Sequence, residues 1–557
     1  MLNAAATAVQ TANQIGIFYA SQTGNGETIA RRLAQDILAA GRSAEIKSFL
    51  ELKPSRLKNL SHAVFVISTH GDGDPPDDAL DLFEYLAGAR APQLSGLQFR
   101  VLALGDSSYL QFCEAGRQLE KHLLANGAAA FSDRVECDLD YQADTDRFCS
   151  EILEFCQQEL EPGAPPAPTP TPLSATPHLS VVPDTPVWNR EKPFPATVES
   201  VNRITTPDSA KDVRHVTLSL AGSGLSYQPG DSLAVRAFND PELVDELLQQ
   251  LRLDPAQRVS RDGRSRTLRE WLTRHFELTR LSPDTVRSWA DLVTGPELPI
   301  LLKKFDEGQL RSFIEQRQLI DLAIDFPGRI DGQTLVDILR PLTTRSYSIA
   351  SSQLAVGEEV ELTIVTHHNH VNGRPRSGVA SEYLNRRLQP GDEVGVFLEP
   401  NSRFRLPEDR KTPLILIGAG TGIAPFRAFM QQLEEESFSP RSWLIFGNPN
   451  VRSDFLYQSE WLAWRAGGLL DRIDTAFSRD QAEKRYVQHV VREKAAEICN
   501  WLDWGAHVYI CGALSMGHAV EAALREGIAS HLKTGDQESG EYLSMLRREK
   551  RLKKDLY

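Results

Sequence analysis

A chain of 557 residues is too long for one hydrophobic core, and about three or four domains are expected. Charged residues make up 24%, no apolar run is long enough to span a bilayer, and the N-terminus lacks a basic segment followed by an apolar one, so neither a membrane helix nor a secretory leader is expected. Six cysteines without a Cys-x-x-Cys pair point to a reducing cytoplasm rather than a disulfide framework or a metal site, and a net charge of −14 disfavours nucleic acid and anionic membranes as partners.

Residues 15–20 read as an apolar strand that runs into Ser21, Gln22, Thr23, Gly24, Asn25 and Gly26, with a helix predicted near 27–40. Strands at 63–69 and 99–105 and helices near 78–87 and 116–126 continue a parallel α/β alternation. The second strand ends in Ser68, Thr69, His70, Gly71, Asp72 and Gly73, and the third in Leu104, Gly105, Asp106, Ser107, Ser108 and Tyr109. Hydroxyls and backbone N–H groups at a strand-to-helix turn cradle a phosphate, and the helix dipole favours its charge. In a doubly wound sheet such loops converge at the switch point, where FMN lies in flavodoxin-like folds, and Tyr109 is placed to stack on the flavin. Any one loop reads equally as a Gly/Ser turn; three of them after three apolar strands read as an FMN site. Residues 1–160 hold 22 Asp and Glu against 13 Lys and Arg, a net of −9, which steers this domain towards a basic protein surface.

Residues 161–186 are rich in Pro, Ala and Thr and read as an extended tether. Beyond it, 213–220, 232–235 and 360–366 read as antiparallel barrel strands, interrupted by a helical insertion over about residues 240–339. Arg345, Ser346, Tyr347 and Ser348 offer a guanidinium for a pyrophosphate, a flat ring for an isoalloxazine and a hydroxyl near its reactive edge. Gly378, Val379, Ala380 and Ser381 then open a helix pattern over 381–388 whose free N–H groups suit the same pyrophosphate. With the turn from Tyr227 to Asp231, these residues read as an FAD site rather than as ordinary strand residues.

From residue 414 the α/β rhythm returns, with strands at 414–418, 443–447 and 507–512. The first leads into a glycine-rich turn containing Gly420 and Thr421, which lets a backbone approach a dinucleotide, a weak signal by itself. Ser478, Arg479, Lys484 and Tyr486 strengthen it: a hydroxyl and two cations suit a ribose 2′-phosphate and hence NADPH, where an acidic residue would select NAD. The other reading of that stretch is a solvated charged loop. Cys511 ends a strand and reads either as core or as a neighbour of the nicotinamide. Tyr557 reads either as a frayed terminus or as a cover for a flavin face.

Taken together, residues 345–352, 404–407, 420–432, 446–449 and 454–457, with the closing 551–557, resemble those of the diflavin reductases, and most of all the flavoprotein component of assimilatory NADPH–sulfite reductases. The likeness runs from residue 15 to 557 and implies a multidomain α/β plus β-barrel protein. After a tail at 1–14, a flavodoxin-like doubly wound FMN domain covers 15–160, and a Pro-rich linker 161–190. An FAD-binding antiparallel barrel with its helical insertion covers 191–407, and an NADP-binding ferredoxin-reductase-like α/β domain 408–557. The resemblance implies electron flow from NADPH to FAD to FMN, then to a separate sirohaem/iron–sulfur subunit that reduces sulfite to sulfide for cysteine biosynthesis. It adds Leu110, Gln111, Phe112 and Cys113 to the FMN site, Thr279, Thr363, Ile364 and Val365 to the FAD site, and Arg485, Val487 and Gln488 to the NADPH site. It also makes Ser348, Cys511 and Asp555 a hydride-transfer group, with Tyr557 as its shielding aromatic. The chain departs from the family pattern at Ala513, Ala519 and Asn369, and His70 stands where microsomal members have an aromatic. Two rivals stay open: a diflavin reductase serving another haem acceptor, and a non-catalytic assembly partner of the haem subunit, which the intact Ser348, Cys511 and Asp555 set disfavours. Self-association is open as well.

Overall fold

The computed structural model describes residues 14–21, 24–71, 73–88, 91–160, 188–371 and 373–557. The expected tail up to residue 13, the expected tether at 161–186, and Gln22, Thr23 and Asp72 lie outside the described residues, as does the side chain of Asn369. The chain divides into two compact units, Met1–Val182 and Pro183–Tyr557.

Unit 1 is a parallel sheet of β1 (Gln14–Ala20), β2 (Ser43–Ser48), β3 (His62–Ser68), β4 (Gln98–Leu104), β5 (Ala129–Ala130) and β6 (Val135–Cys137). Its order is β2-β1-β3-β4-β5, with β6 also on β4, so the winding reverses between β1 and β3. Both faces are covered, which is why β3 is apolar without alternation: Ala63, Val64, Phe65, Val66 and Ile67 are all buried. The helices Asn25–Ala39 and Gln142–Glu159 bury Ile29, Leu33, Phe148 and Ile152 against one face. The helices Leu80–Ala87 and Glu114–Ala125 bury Leu82, Leu86, Leu119 and Leu123 against the other.

Unit 2 has two lobes. The first contains β7 (Phe194–Arg203), β8 (Val213–Ser219), β9 (Ser232–Arg236), the hairpin β10 (Arg258–Arg261) and β11 (Arg264–Thr267), β12 (Arg345–Ser348), β13 (Glu359–Val365), the hairpin β14 (His368–Val371) and β15 (Arg374–Ser377), and β16 (Glu393–Glu399). Six of these form one antiparallel sheet in the order β12-β9-β16-β7-β8-β13. The expected barrel is corrected here, because this sheet is not laddered shut. Its end strands meet at the single bridge Ile349↔Leu362, since β12 is only four residues long. The insertion is helical as its capping residues dictate. Asp240 and Ser282 each cap a helix with proline at its first turn, and Thr267, Asp306 and Asp331 cap three more.

The second lobe is a parallel sheet of β17 (Leu414–Ala419), β18 (Ser442–Asn448), β19 (Arg472–Phe477), β20 (His507–Gly512) and β21 (Leu552–Leu556), in the order β19-β18-β17-β20-β21. The lobes share a core: Phe404, from the end of the first, stacks on Phe426 and Phe429 and meets Tyr509 edge-on. Among the described residues no helix is long and apolar enough to cross a membrane.

Candidate functional site

In unit 1 the predicted loops all leave the carboxyl ends of β1, β3 and β4, the position at which doubly wound sheets bind ligands. Ser21 Oγ accepts from the N–H groups of Gly24 and Gly26, at 3.0 and 3.1 Å, so it caps the helix that starts at Asn25 instead of facing outward. Thr69 Oγ1 accepts from Ala115 N at 3.3 Å and ties the β3 loop to the helix Glu114–Ala125 that follows β4. Ser68 ends β3, and beyond it His70 and Asp74 exchange backbone bonds of 2.8 and 3.0 Å, which closes a tight loop through Gly71 and Gly73. A Cβ at Gly73 would lie 2.0 Å from the Gln111 side chain, so the β3 and β4 loops are in contact. After Leu104 and Gly105, Asp106 accepts from Ser108 N at 2.8 Å, and Asp138 accepts from Ser107 N at 3.0 Å. Tyr109, Leu110 and Phe112 are half-buried along the rim, and Cys113 is buried with its thiol pushed up to about 12 by desolvation. Ser108 Oγ is buried and has no partner among the described residues. An orphaned hydroxyl among half-buried aromatic and amide groups fits a flavin phosphate or ring edge.

In unit 2 the expected FAD residues other than Tyr557 lie in the first lobe, and Ser348 and Thr363 among them bond to the second across the lobe seam. Glu277 Oε2 accepts from Arg345 at 3.1 Å, while its Oε1 accepts from Thr279 N, Thr279 Oγ1 and Arg280 N at 2.9, 2.8 and 3.1 Å. That insertion loop bonds through Leu278 O to Leu319 N, and Gln318 Nε2 reaches Ser377 O at 2.9 Å, beside Gly378. Val379, Ala380 and Ser381 form the first turn of the helix Val379–Glu382, which widens into a π-turn over Tyr383–Arg387. Their N–H groups have no carbonyl one turn earlier, so together with the Arg345 guanidinium they make a donor set that fits a diphosphate. Tyr347 is half-buried against the sheet core, and the Ser346 hydroxyl is bonded to Glu399. Thr363 differs from expectation: its hydroxyl lies 2.7 Å from Tyr457 Oη, in a cluster with His215 Nδ1 at 3.0 Å from the same oxygen. Ile364 is buried core, and Val365 packs at the edge of the shared core.

The seam also assembles Ser348, Cys511 and Asp555. Parallel pairing of β20 with β21 sets Asp555 opposite Cys511. Asp555 Oδ2 accepts from Ser348 Oγ at 2.7 Å and from Cys511 Sγ at 3.7 Å. Desolvation pushes the Asp555 carboxyl up, and those two hydrogen bonds pull it partly back; desolvation also pushes the Cys511 thiol well above its ordinary value. Tyr557 N donates to Gly512 O at 3.1 Å, and Tyr557 Oη lies 2.7 Å from Thr421 Oγ1, so the terminal ring stands at the dinucleotide loop. At Gly422 a Cβ would fall 2.1 Å from Cys511 O, and Gly420 has φ 58°, so this approach requires glycine.

Of the expected NADPH residues, Ser478 and Arg479 follow β19 and are held by bonds from their N–H groups to Asn448 O and Pro449 O, at 3.0 and 2.8 Å. Arg479, Lys484 and Tyr486 are exposed. Arg485 is committed elsewhere, with Glu493 at 2.6 Å and Thr475 O at 3.1 Å. Val487 is buried and Gln488 half-buried in the following helix. Sequence reasoning missed Lys211, which lies in the polar loop before β8 and matches no motif. Its Nζ bonds Asn448 Oδ1 at 3.0 Å and would lie 3.7 Å from a Cβ at Gly420. Desolvation lowers its pKa, Asp454 raises it and Arg479 lowers it further. A cation beside the glycine loop, with the Arg479 charge near enough to lower its pKa, fits an anionic dinucleotide.

Three family models match in succession: flavodoxin over residues 17–151, the FAD binding domain over 186–383 and the oxidoreductase NAD-binding domain over 416–522. The chain is 40% identical to the sulfite reductase [NADPH] flavoprotein alpha-component of Bacillus subtilis (strain 168), over 100% of this chain and 91% of that one. The protein of the same name from Mannheimia succiniciproducens is 40% identical, over 100% of this chain and 92% of its own. That from Shewanella sp. (strain MR-7) is 42% identical, over 98% and 90%. With FMN, FAD and nicotinamide dinucleotide domains in that order and such likeness end to end, the chain belongs to the diflavin family of sulfite reductase [NADPH] flavoprotein alpha-components.

Proposed function

We propose that this chain oxidises NADPH in the cytoplasm and passes the electrons to a separate sirohaem/iron–sulfur subunit that reduces sulfite to sulfide. The observation that carries the reading is the seam of unit 2, where Ser348 of one lobe and Cys511 of the other share one oxygen of Asp555 beside the dinucleotide loop. Residues 15–160 serve as the FMN domain, 191–407 as the FAD domain and 408–557 as the NADPH domain. When bound, the two flavins supply acceptance of a hydride and its release as single electrons.

The protein supplies placement and electrostatics. Arg345, with Thr279 and the turn Gly378 to Ser381, would hold the FAD diphosphate, and Tyr347 would lie along the ring. Ser348 Oγ and Asp555 fix the hydroxyl edge at which a nicotinamide is received. Cys511 stays a protonated thiol, since desolvation raises its pKa far above neutrality, and acts as a neutral wall and donor to Asp555. Ser478, Arg479, Lys484 and Tyr486 take the 2′-phosphate, and Lys211 the diphosphate beside Gly420. Tyr557, held at the dinucleotide loop, would cover a flavin ring face there and would have to give way to a nicotinamide. Six unpaired, buried cysteines support a reducing compartment.

Purified protein is expected to carry one FMN and one FAD per chain and to form sulfide from sulfite and NADPH when mixed with a sirohaem sulfite reductase subunit. Rapid flavin reduction by NADPH without any sulfide would remove the proposed acceptor and keep the diflavin reading. Light scattering of the free chain tests self-association as the second partner.

A further inference from the structure

We propose that Asp454 and Ser209 are positioning residues that deliver Lys211 of the first lobe to the dinucleotide loop of the second. The inference rests on the assignment of Lys211 to the diphosphate made above. Lys211 precedes β8, whereas the loop that it faces follows β17, so some contact between the lobes has to fix its place.

A closed ring of hydrogen bonds does so. Ser209 Oγ donates to Asp454 Oδ1 and accepts from Lys211 N at 2.9 Å. Lys211 Nζ donates to Asn448 Oδ1 at 3.0 Å, and Asn448 Nδ2 donates to the backbone carbonyl of Asp454 at 2.6 Å. Asp454 therefore grips Lys211 at both ends, its carboxylate acting through Ser209 on the backbone and its carbonyl through Asn448 on the ammonium. The other carboxylate oxygen is occupied on its own side, accepting from Asn450 N and Ser453 Oγ, each at 3.0 Å. Thr206 N donates to Ser453 O at 3.2 Å, and Thr205 Oγ1 donates to Lys211 O at 2.8 Å, so the loop is strapped on both sides of Ser209. Asp454 and Asn448 are 1% and 7% exposed, so water competes weakly for these bonds. A lysine side chain held this way has already lost the rotamer freedom that binding would otherwise cost. The ring also gives the motif at 454–457 a role at each end, because Tyr457 reaches the first lobe through His215 and Thr363.

The test is calorimetric binding of NADP⁺, NAD⁺ and 2′-AMP to the full chain, with FAD content as a check on folding. Lys211→Ala is expected to weaken NADP⁺ and NAD⁺ by the same factor, about tenfold, the size of one hydrogen bond to a charged group, and to leave 2′-AMP unchanged because it has no diphosphate. Ser209→Ala and Asp454→Ala should reproduce that pattern, Ser209→Thr should restore binding, and Ser209→Ala/Lys211→Ala should be no weaker than Lys211→Ala alone. Unchanged NADP⁺ binding in Lys211→Ala overturns the diphosphate assignment itself. If Lys211→Ala weakens binding and Ser209→Ala does not, the assignment stands and the positioning role is wrong. Equal loss of 2′-AMP and NADP⁺ in Ser209→Ala likewise overturns it, since that marks general disorder of the lobe.

Discussion

Desolvation at the seam raises the pKa of Asp555, and the bonds from Ser348 and Cys511 only partly restore it. The folded chain thus holds this proton more tightly than the unfolded chain does, and ionisation costs the fold stability as pH rises above the unfolded value. Below about pH 4 the carboxyl is neutral in both states and the cost vanishes. Asp555→Asn is therefore expected to raise Tm at pH 7 but not at about pH 4, while slowing flavin reduction by NADPH by roughly tenfold or more. A Tm unchanged at both pH values would mean that ionisation of Asp555 carries no cost. Arg479→Ala should raise KM for NADPH and barely alter NADH kinetics, because Arg479 is exposed and NADH lacks the 2′-phosphate that it would neutralise. Equal losses with both cofactors would make it a structural residue. Arg345, Ser348, Gly420 and Arg479 were legible because each sits in a run of residue types suited to one ligand group. Glu277 and Lys211 were not, since the contacts that define them join segments 68 and 237 positions apart.

Strands buried on both faces, such as β3 and β18, announce themselves by unbroken apolar runs, and the insertion's helices by Asp, Ser or Thr ahead of the first turn. β21 shows neither signal. In its sequence Leu552-Lys553-Lys554-Asp555-Leu556 three of five residues are charged, and it becomes a strand because β20 offers an open edge and Glu521 takes Lys554 at 2.6 Å. The carboxylate it carries could be placed in the site by resemblance, not by pattern. In the first lobe alternation marks the antiparallel strands, but it does not reveal that β12 is too short to ladder with β13 and close the barrel. The helix Leu514–Leu532 exposes another local feature. Its N-cap, Ala513, has extended backbone and no side-chain bond to the first turn. Ala513→Asp is expected to stabilise unit 2 by about 1 kcal/mol, read as a higher midpoint in urea. No gain would mean that the first-turn N–H groups already have partners.

Electrons that enter at the seam of unit 2 must leave through unit 1, and the two are separate compact bodies joined by a segment whose composition reads as an extended tether. A transfer that requires one domain to serve two partners in turn depends on tether length and on the attraction of the second partner. Residues 1–160 carry 22 acidic against 13 basic side chains, so their field favours a basic face on the haem subunit and speeds encounter at low ionic strength. Screening shortens the reach of that field from about 30 Å at 0.01 M to about 8 Å at 0.15 M salt. Sulfide formation with the haem subunit is therefore expected to slow over that range, while reduction of FAD by NADPH, which takes place within unit 2, responds less. Halving residues 161–186 should slow delivery to the haem subunit more than it slows reduction of FAD by NADPH. Stopped-flow absorbance separates the two steps in one experiment. If the shortened chain delivers electrons at the full rate, the FMN domain does not need to travel; if the rate is flat in salt, the acidic surface does not guide the encounter, and the acceptor must be held by contacts of another kind.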